Sequence, residues 1–207
     1  MSTKKLASIE ISNLEITKTV LLNITKMLIN RGIFDNKNEE KIYKQLESQI
    51  SSEMVFSIKS DITKKEYHFK FINQKLTTIR KVYGIEEFFL KSKNNYRFII
   101  TSNLNKKAYK QLIKYKDTEV FRIHELLINI MDHDLIPKHI VLNEDEKKKY
   151  LEAYETNKKT MSKMNVTDPV ARYYNMQVGD IVRIERPSIT SGISIHYRIV
   201  INSSLFP

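Results

Sequence analysis

"DPVARYYNMQVGDIVRIERPS", residues 168–188, is punctuated like a folded module, and the rest of the chain is best read outward from it. Asp168 before Pro169 marks a helix start, because aspartate caps free N–H groups and proline's fixed φ suits the first helical position. The short helix "PVARYY" is expected to stop at Asn175, since asparagine tolerates the left-handed conformation that closes a helix. Gly179 supplies a turn, and "DIVRIER" then alternates as a strand does. After a "PSITSG" connection, "ISIHYRIVI" (193–201) sets Ile193, Ile195, Tyr197, Ile199 and Ile201 against Ser194, His196, Arg198 and Val200. The pattern predicts a small α+β module whose sheet has one covered face.

Upstream, Asn143 followed by Glu144, Asp145 and Glu146 forms a second helix start, with a capping box closed by Glu146 and acidic groups at the positive end of the dipole. That helix is expected to reach Tyr154. In "DHDLIPKHIVL" (132–142), Pro137 cannot lie inside a helix, so the chain turns or extends there. This divides the chain into an N-terminal domain, 1–134, and a C-terminal domain, 135–207.

The N-terminal part alternates helical and strand-like runs. In "NLEITKTVLLNITKMLINRG" (13–32), Val20, Leu21, Ile24, Met27 and Leu28 recur at helical spacing and Gly32 is a stop signal. A more polar helix is expected over 39–50. "MVFSI", "EYHFKFI", "YRFIIT" and "EVFRI" are rich in aromatic and branched residues, as strands are. Helices are expected around Gly84 in "LTTIRKVYGIEEFFLKS" and from Asn105 through "KKAYKQLIKY", and "HELLINIM" continues as a helix. Such alternation predicts an α/β domain with a mixed sheet.

Composition sets the function classes. With 41% hydrophobic residues, no cysteine and no run of about 18 apolar residues, a soluble intracellular protein is expected. The net charge of +11 points to a polyanion as partner. Residues 1–134 carry 24 Lys+Arg against 16 Asp+Glu, a surplus of 8, while residues 135–207 carry 11 against 8. The N-terminal part is therefore the better candidate for meeting phosphate. Arg172, Arg183, Arg186 and Arg198 stand out in a chain that otherwise prefers lysine, and the guanidinium fork suits bidentate pairing with carboxylates at an interface.

An enzyme reading lacks a constellation. His68, His124, His133, His139 and His196 form no metal-binding spacing, and the four glycines are too far apart for a phosphate loop. "DNK" (35–37) and "EEK" (39–41) match only the crude acid-x-lysine triplet of magnesium nucleases. A stand-alone DNA-binding or nuclease-like protein is the competing reading.

"DLIPKHIVL", "DPVARYYNMQVGDIVRIERPS" and "YRIV" resemble the assembly domain of the RNA polymerase subunit called H in archaea and shared by the nuclear polymerases of eukaryotes. The resemblance covers 132–200. "NRGIF" and "EVFRIHELLINIMDHDL" are similar to the longer, two-domain form of that family, in eukaryotes or large DNA viruses, which adds an N-terminal jaw. The resemblance implies a non-catalytic subunit of a multisubunit DNA-directed RNA polymerase, without cofactor, metal, membrane or small-molecule substrate. Its C-terminal domain would dock on the largest subunit, and its jaw would help hold downstream double-stranded DNA. It would work in the nucleus, or in a virion and cytoplasmic viral factory. The implied interface residues are Asp168, Pro169, Arg172, Tyr173, Arg186, Ser188, Thr190, Gly192, Tyr197 and Arg198.

In the jaw, "NLNKKAYK" stands where the family approaches DNA, with Lys106 in place of a usual proline. Asn105 is expected to cap the helix, leaving free N–H groups with Lys106 and Lys107 as a phosphate contact. Other departures from the family are Asn175 for glycine, Ser162 for proline, Val166 for a basic residue, and Ile189 and Ile193 for glutamate and arginine. They suggest a partner that has diverged in step.

Overall fold

A computed structural model describes residues 12–51, 53–76, 84–155 and 158–202. The chain divides into two compact units, Met1–Ile128 and Asn129–Pro207. The division falls ahead of the boundary expected at 134, because Ile130, Met131 and Ile136 pack on the core of the second unit.

The first unit is a four-stranded mixed sheet with helices. Helix α1 (Asn13–Asn30) opens on a capping box between Ser12 and Glu15 and buries Val20, Leu21, Ile24, Met27 and Leu28, the predicted stripe. Gly32, at φ +71°, ends the run. Helix α2 (Glu39–Glu47) follows a single 3₁₀ turn capped by Asp35. The strands are β1 (Val55–Lys59), β2 (Glu66–Leu76), β3 (Tyr96–Leu104) and β4 (Thr118–Arg122), in the order β1-β2-β3-β4. β1 is antiparallel to β2, whereas β2, β3 and β4 run parallel. Parallel neighbours need crossovers, and α3 (Ile85–Lys91) and α4 (Lys106–Leu112) supply them. The segment 77–83 of the helix expected around Gly84 lies outside the described residues. "HELLINIM" is broken into α5 (Ile123–Leu126) and a 3₁₀ turn at Ile130–Asp132.

The two faces of this sheet differ. One carries Phe56, Phe69, Phe98 and Phe121, with Phe69 stacked on Phe98 at 4.9 Å. Arg31, at the end of α1, lies over the Phe98 ring and forms a two-pronged pair with Glu119, both contacts at 2.8 Å. Desolvated fork-to-carboxylate pairing of this kind fixes orientation as well as energy. The other face carries His68, Lys70 and Arg97 among Val55, Ile72 and Ile99. Arg97 is covered by Phe89 of α3 and donates to the Lys116 carbonyl.

In the second unit, β5 (Lys138–Val141), β6 (Ser162–Asn165), β7 (Ile181–Ser188) and β8 (Gly192–Ile201) form a sheet in the order β5-β7-β8-β6. Helix α6 (Glu144–Ala153) starts on the predicted box, with Asn143 and Glu146 bonded reciprocally at 2.8 Å. Helix α7 (Pro169–Tyr173) starts with Asp168 Oδ1 accepting from Val170 N and closes through Asn175 at φ +51°.

The single covered face is corrected: both faces are covered at one end of the sheet. Val182, Ile184 and Val200 pack under Val170 and Ala171 of α7, while Ile181 and Ile199 pack under Tyr150 and Leu151 of α6. Neighbours along the strand, such as Ile199 and Val200, are thus buried on opposite sides. The connection is also shorter than expected, because Pro187 and Ser188 belong to β7. Proline is tolerated there because β5 pairs no further than Glu185, leaving that side of β7 open.

Candidate functional site

The α7 side of the second sheet gathers half of the expected interface residues. Cross-strand pairing sets Arg186 opposite Ser194, Val182 opposite Arg198 and Ile184 opposite both His139 and His196, so their side chains share one face. His139 sits at the centre of this group. Its Nδ1 lies 2.6 Å from the Pro137 carbonyl, and since a carbonyl only accepts, Nδ1 carries the proton. Burial pushes the His139 pKa below the usual imidazole range; the Pro137 bond and Asp168 oppose the shift, and Arg186 and Arg198 add to it. Asp168, Arg186 and Arg198 therefore all lie within electrostatic reach of one neutral imidazole.

The arginines differ in what they do. Arg183, on the other face, is held by Glu185 in its own strand. Arg186 is exposed and Arg198 half-buried, and neither makes a hydrogen bond or ion pair among the described residues. Two guanidinium forks on one rigid face thus present unused donors, an arrangement complementary to carboxylates. Arg172 lies half-buried on α7 and Pro169 is exposed at its start.

The remaining expected residues lie elsewhere. Ser188 and Gly192 pair where β7 turns into β8, with the Ser188 and Thr190 hydroxyls 3.3 Å apart. Gly192 has φ +71° and open space about it, so the turn needs glycine for its backbone rather than for room. Tyr173 is buried. Tyr197 faces the opposite way and packs on Tyr150 of α6 and on Tyr154 at its C-cap, with ring centroids at 4.1 and 6.0 Å. Two features were not read from the sequence. His139 becomes central only when β5, β7 and α7 converge. Ile189, Ile193 and Ile195 protrude at the far end of the hairpin, since α6 covers only the Tyr197–Ile201 half of that stripe.

In the first unit, Asn105 occupies the N-cap position of α4 with extended backbone, but its side chain makes no capping bond, contrary to the expected cap. Its own N–H is used by the Leu76 carbonyl. Lys106 and Lys107 are exposed and make no hydrogen bond or ion pair among the described residues. A seven-residue helix has little macrodipole, so this site offers two solvated ammonium groups and the first free N–H groups of the helix.

The nuclease-like triplets fall where carboxylates serve helix starts. Asp35 accepts from Lys37 N at 3.2 Å, and Glu39 and Glu40 lie in the first turn of α2. Among the described residues no three His, Asp or Glu side chains group to hold a metal ion, and no helix is long and apolar enough to cross a membrane.

Residues 128–200 match the family model of the RNA polymerase Rpb5 C-terminal domain. Over 205 residues the chain is 32% identical to DNA-directed RNA polymerase subunit 5 of Acanthamoeba polyphaga mimivirus, covering 96% of this chain and 98% of that protein. It is 43% identical to the rpabc1 subunit of DNA-directed RNA polymerases I, II and III of Dictyostelium discoideum over 83 residues, 40% of this chain and 42% of that one. The corresponding subunit of Caenorhabditis elegans is 40% identical over 83 residues, 40% of this chain and 39% of that one.

Proposed function

The chain belongs to the RNA polymerase Rpb5 family, and on that basis we propose that it is a non-catalytic subunit of a multisubunit DNA-directed RNA polymerase whose C-terminal unit docks on the largest subunit. The observation that carries the docking face is the pair of unused guanidinium groups, Arg186 and Arg198, held beside His139 and Asp168 on a sheet rigidified from both sides. A face that leaves arginines without internal partners suits a surface whose partners come from another chain.

The N-terminal unit is the jaw, and its role is to steady downstream duplex. Lys106 and Lys107, with the surplus of 8 positive charges over residues 1–134, supply a potential that is indifferent to base sequence. The near end-to-end likeness to a mimivirus subunit supports a large-DNA-virus polymerase, which would work in a viral factory or packaged virion; a host polymerase would place it in the nucleus.

Affinity purification of the tagged protein from its native source, with mass spectrometry and a promoter-independent transcription assay, tests this reading. Stoichiometric recovery of the two largest polymerase subunits together with RNA synthesis is expected, and their identity assigns the polymerase to host or virus. Recovery of the chain alone, binding or cutting DNA, would overturn it.

A further inference from the structure

Among the described residues of the first unit, Lys70 is a largely buried lysine whose amine is left to the cavity it lines. It is 8% exposed and makes no hydrogen bond or ion pair among the described residues. Other buried cations are provided for: Arg31 by Glu119, Arg97 by the Lys116 carbonyl and the Phe89 ring, and Lys147 by Glu144 and Asp180. A buried stem that ends in an unpaired ammonium at a solvent-filled cavity leaves that charge available to an incoming anion.

The amine opens into a cavity of about 700 Å³ between β1, β2 and α3. Its lining is mixed: Met54, Ile72 and Phe88 are apolar, whereas Asn73, Gln74 and Ser92 are polar. Lys70 Nζ lies 3.5 Å from where a β-carbon on Gly84 would stand, an ordinary contact distance that sets the amine beside the start of α3. The size, and the combination of apolar wall segments with a few polar groups around one amine, are those of small-molecule pockets. Burial lowers the Lys70 pKa, Glu53 and Glu87 oppose that shift, and Lys91 adds to it. Those three are exposed and line the rim with half-buried His68, so among the described residues Lys70 is the buried charge of the lining.

We infer that this cavity binds a small molecule with an apolar body and a single anionic head, carboxylate or phosphate monoester, which pairs with Lys70. The two rim carboxylates disfavour polyanions, which sets the site apart from the exposed lysines offered to nucleic acid. A bound anion stabilises the charged amine and so raises its pKa.

The full-length chain, labelled with ¹⁵N, is titrated with phenylacetate and, separately, phenyl phosphate, while amide signals of Ile72 and Phe88 and the Lys70 Nζ signal are followed. Saturable shifts and an upward move of the Lys70 titration are expected for at least one probe, and which probe binds identifies the head. Lys70→Met keeps the stem and removes the charge, and should weaken binding about tenfold, the loss of one charge-assisted bond. Lys107→Met should leave binding unchanged. Absence of saturable shifts, equal affinity in Lys70→Met, or a Lys70 pKa unmoved by bound probe would each overturn the assignment. None of these measurements needs a polymerase, so their outcome is separate from that of the co-purification.

Discussion

Gln49 closes the outer edge of β1 by offering its side-chain amide to both backbone groups of Ser57: its Oε1 accepts from Ser57 N at 2.7 Å and its Nε2 donates to Ser57 O at 2.9 Å. The side chain thus does for the edge strand what a further strand would do. Open edges invite pairing with other chains, and capping by a side chain removes the template.

Gln49→Ala is expected to cost about 1–2 kcal/mol, the loss of two bonds at a part-buried site, and to raise the tendency to associate. Urea denaturation and light scattering of the purified chain measure the two effects. Gln49→Glu should be worse than its shape suggests, because a carboxylate cannot donate to the Ser57 carbonyl.

In the second unit, Lys147 is clasped between Asp180 at 2.8 Å and Glu144 at 2.6 Å, its side chain only 9% exposed. Burial works against its charge, yet the bonds from both carboxylates outweigh that effect and hold its pKa above the ordinary lysine value. The contribution is therefore complete at neutral pH and is lost only as pH rises through the region above about 10. Asp180→Asn strands the ammonium with one exposed partner and should cost about 2 kcal/mol in chemical denaturation. Lys147→Met removes the charge along with its need for partners and should cost less, an ordering that a charge-blind packing account does not give.

What the sequence made legible was local. The Asn143–Glu146 box, the Asp168–Pro169 start and the stop at Asn175 each depend on residues within a few positions of one another, and each stands in the structure as expected. What it hid depends on partners distant in the chain. β6 has no strand signal in "SKMN" and is extended because it pairs with Arg198–Ile201 of β8. Double-sided burial was missed because alternation predicts one buried face, whereas Ile181 and Val182 meet different helices. Lys70, between Phe69 and Phe71, alternates like an outward residue of a half-buried strand; only α3 and the sheet together enclose it.

Arg198→Ala is expected to impair incorporation into the polymerase while the isolated chain stays folded, since the Arg198 side chain makes no hydrogen bond or ion pair among the described residues. Arg198→Lys should restore little, because an ammonium cannot offer two parallel donors. Gly192→Val should also impair incorporation, by a different route: at φ +71° a branched side chain strains the turn that presents the hairpin. Co-purification with the largest subunits measures all three, and normal yields with Arg198→Ala would remove that residue from the interface.

Lys106→Glu combined with Lys107→Glu is expected to leave assembly intact and weaken the grip on downstream duplex. If each lysine meets one phosphate, the slope of log affinity against log salt should become shallower by about 1.8. Elongation-complex stability measured across a salt series reads this directly, and an unchanged slope would refute contact at α4.

His139 gives the second unit a pH dependence of definite sign. Its folded pKa is held below the ordinary value, chiefly by burial, with Arg186 and Arg198 adding to the shift, so the unfolded chain takes up its proton first as pH falls. Stability should therefore decline as pH drops from about 6.5 and level off below the folded pKa. The groups facing the imidazole decide the size of the effect: Asp168 favours the protonated form and the two arginines oppose it. Removing an arginine should consequently flatten the decline, whereas Asp168→Asn should steepen it. Thermal unfolding of the wild-type chain, Arg198→Ala and Asp168→Asn between pH 5 and pH 8 distinguishes these directions, and identical pH profiles for all three would mean that the imidazole is not coupled to the proposed docking face.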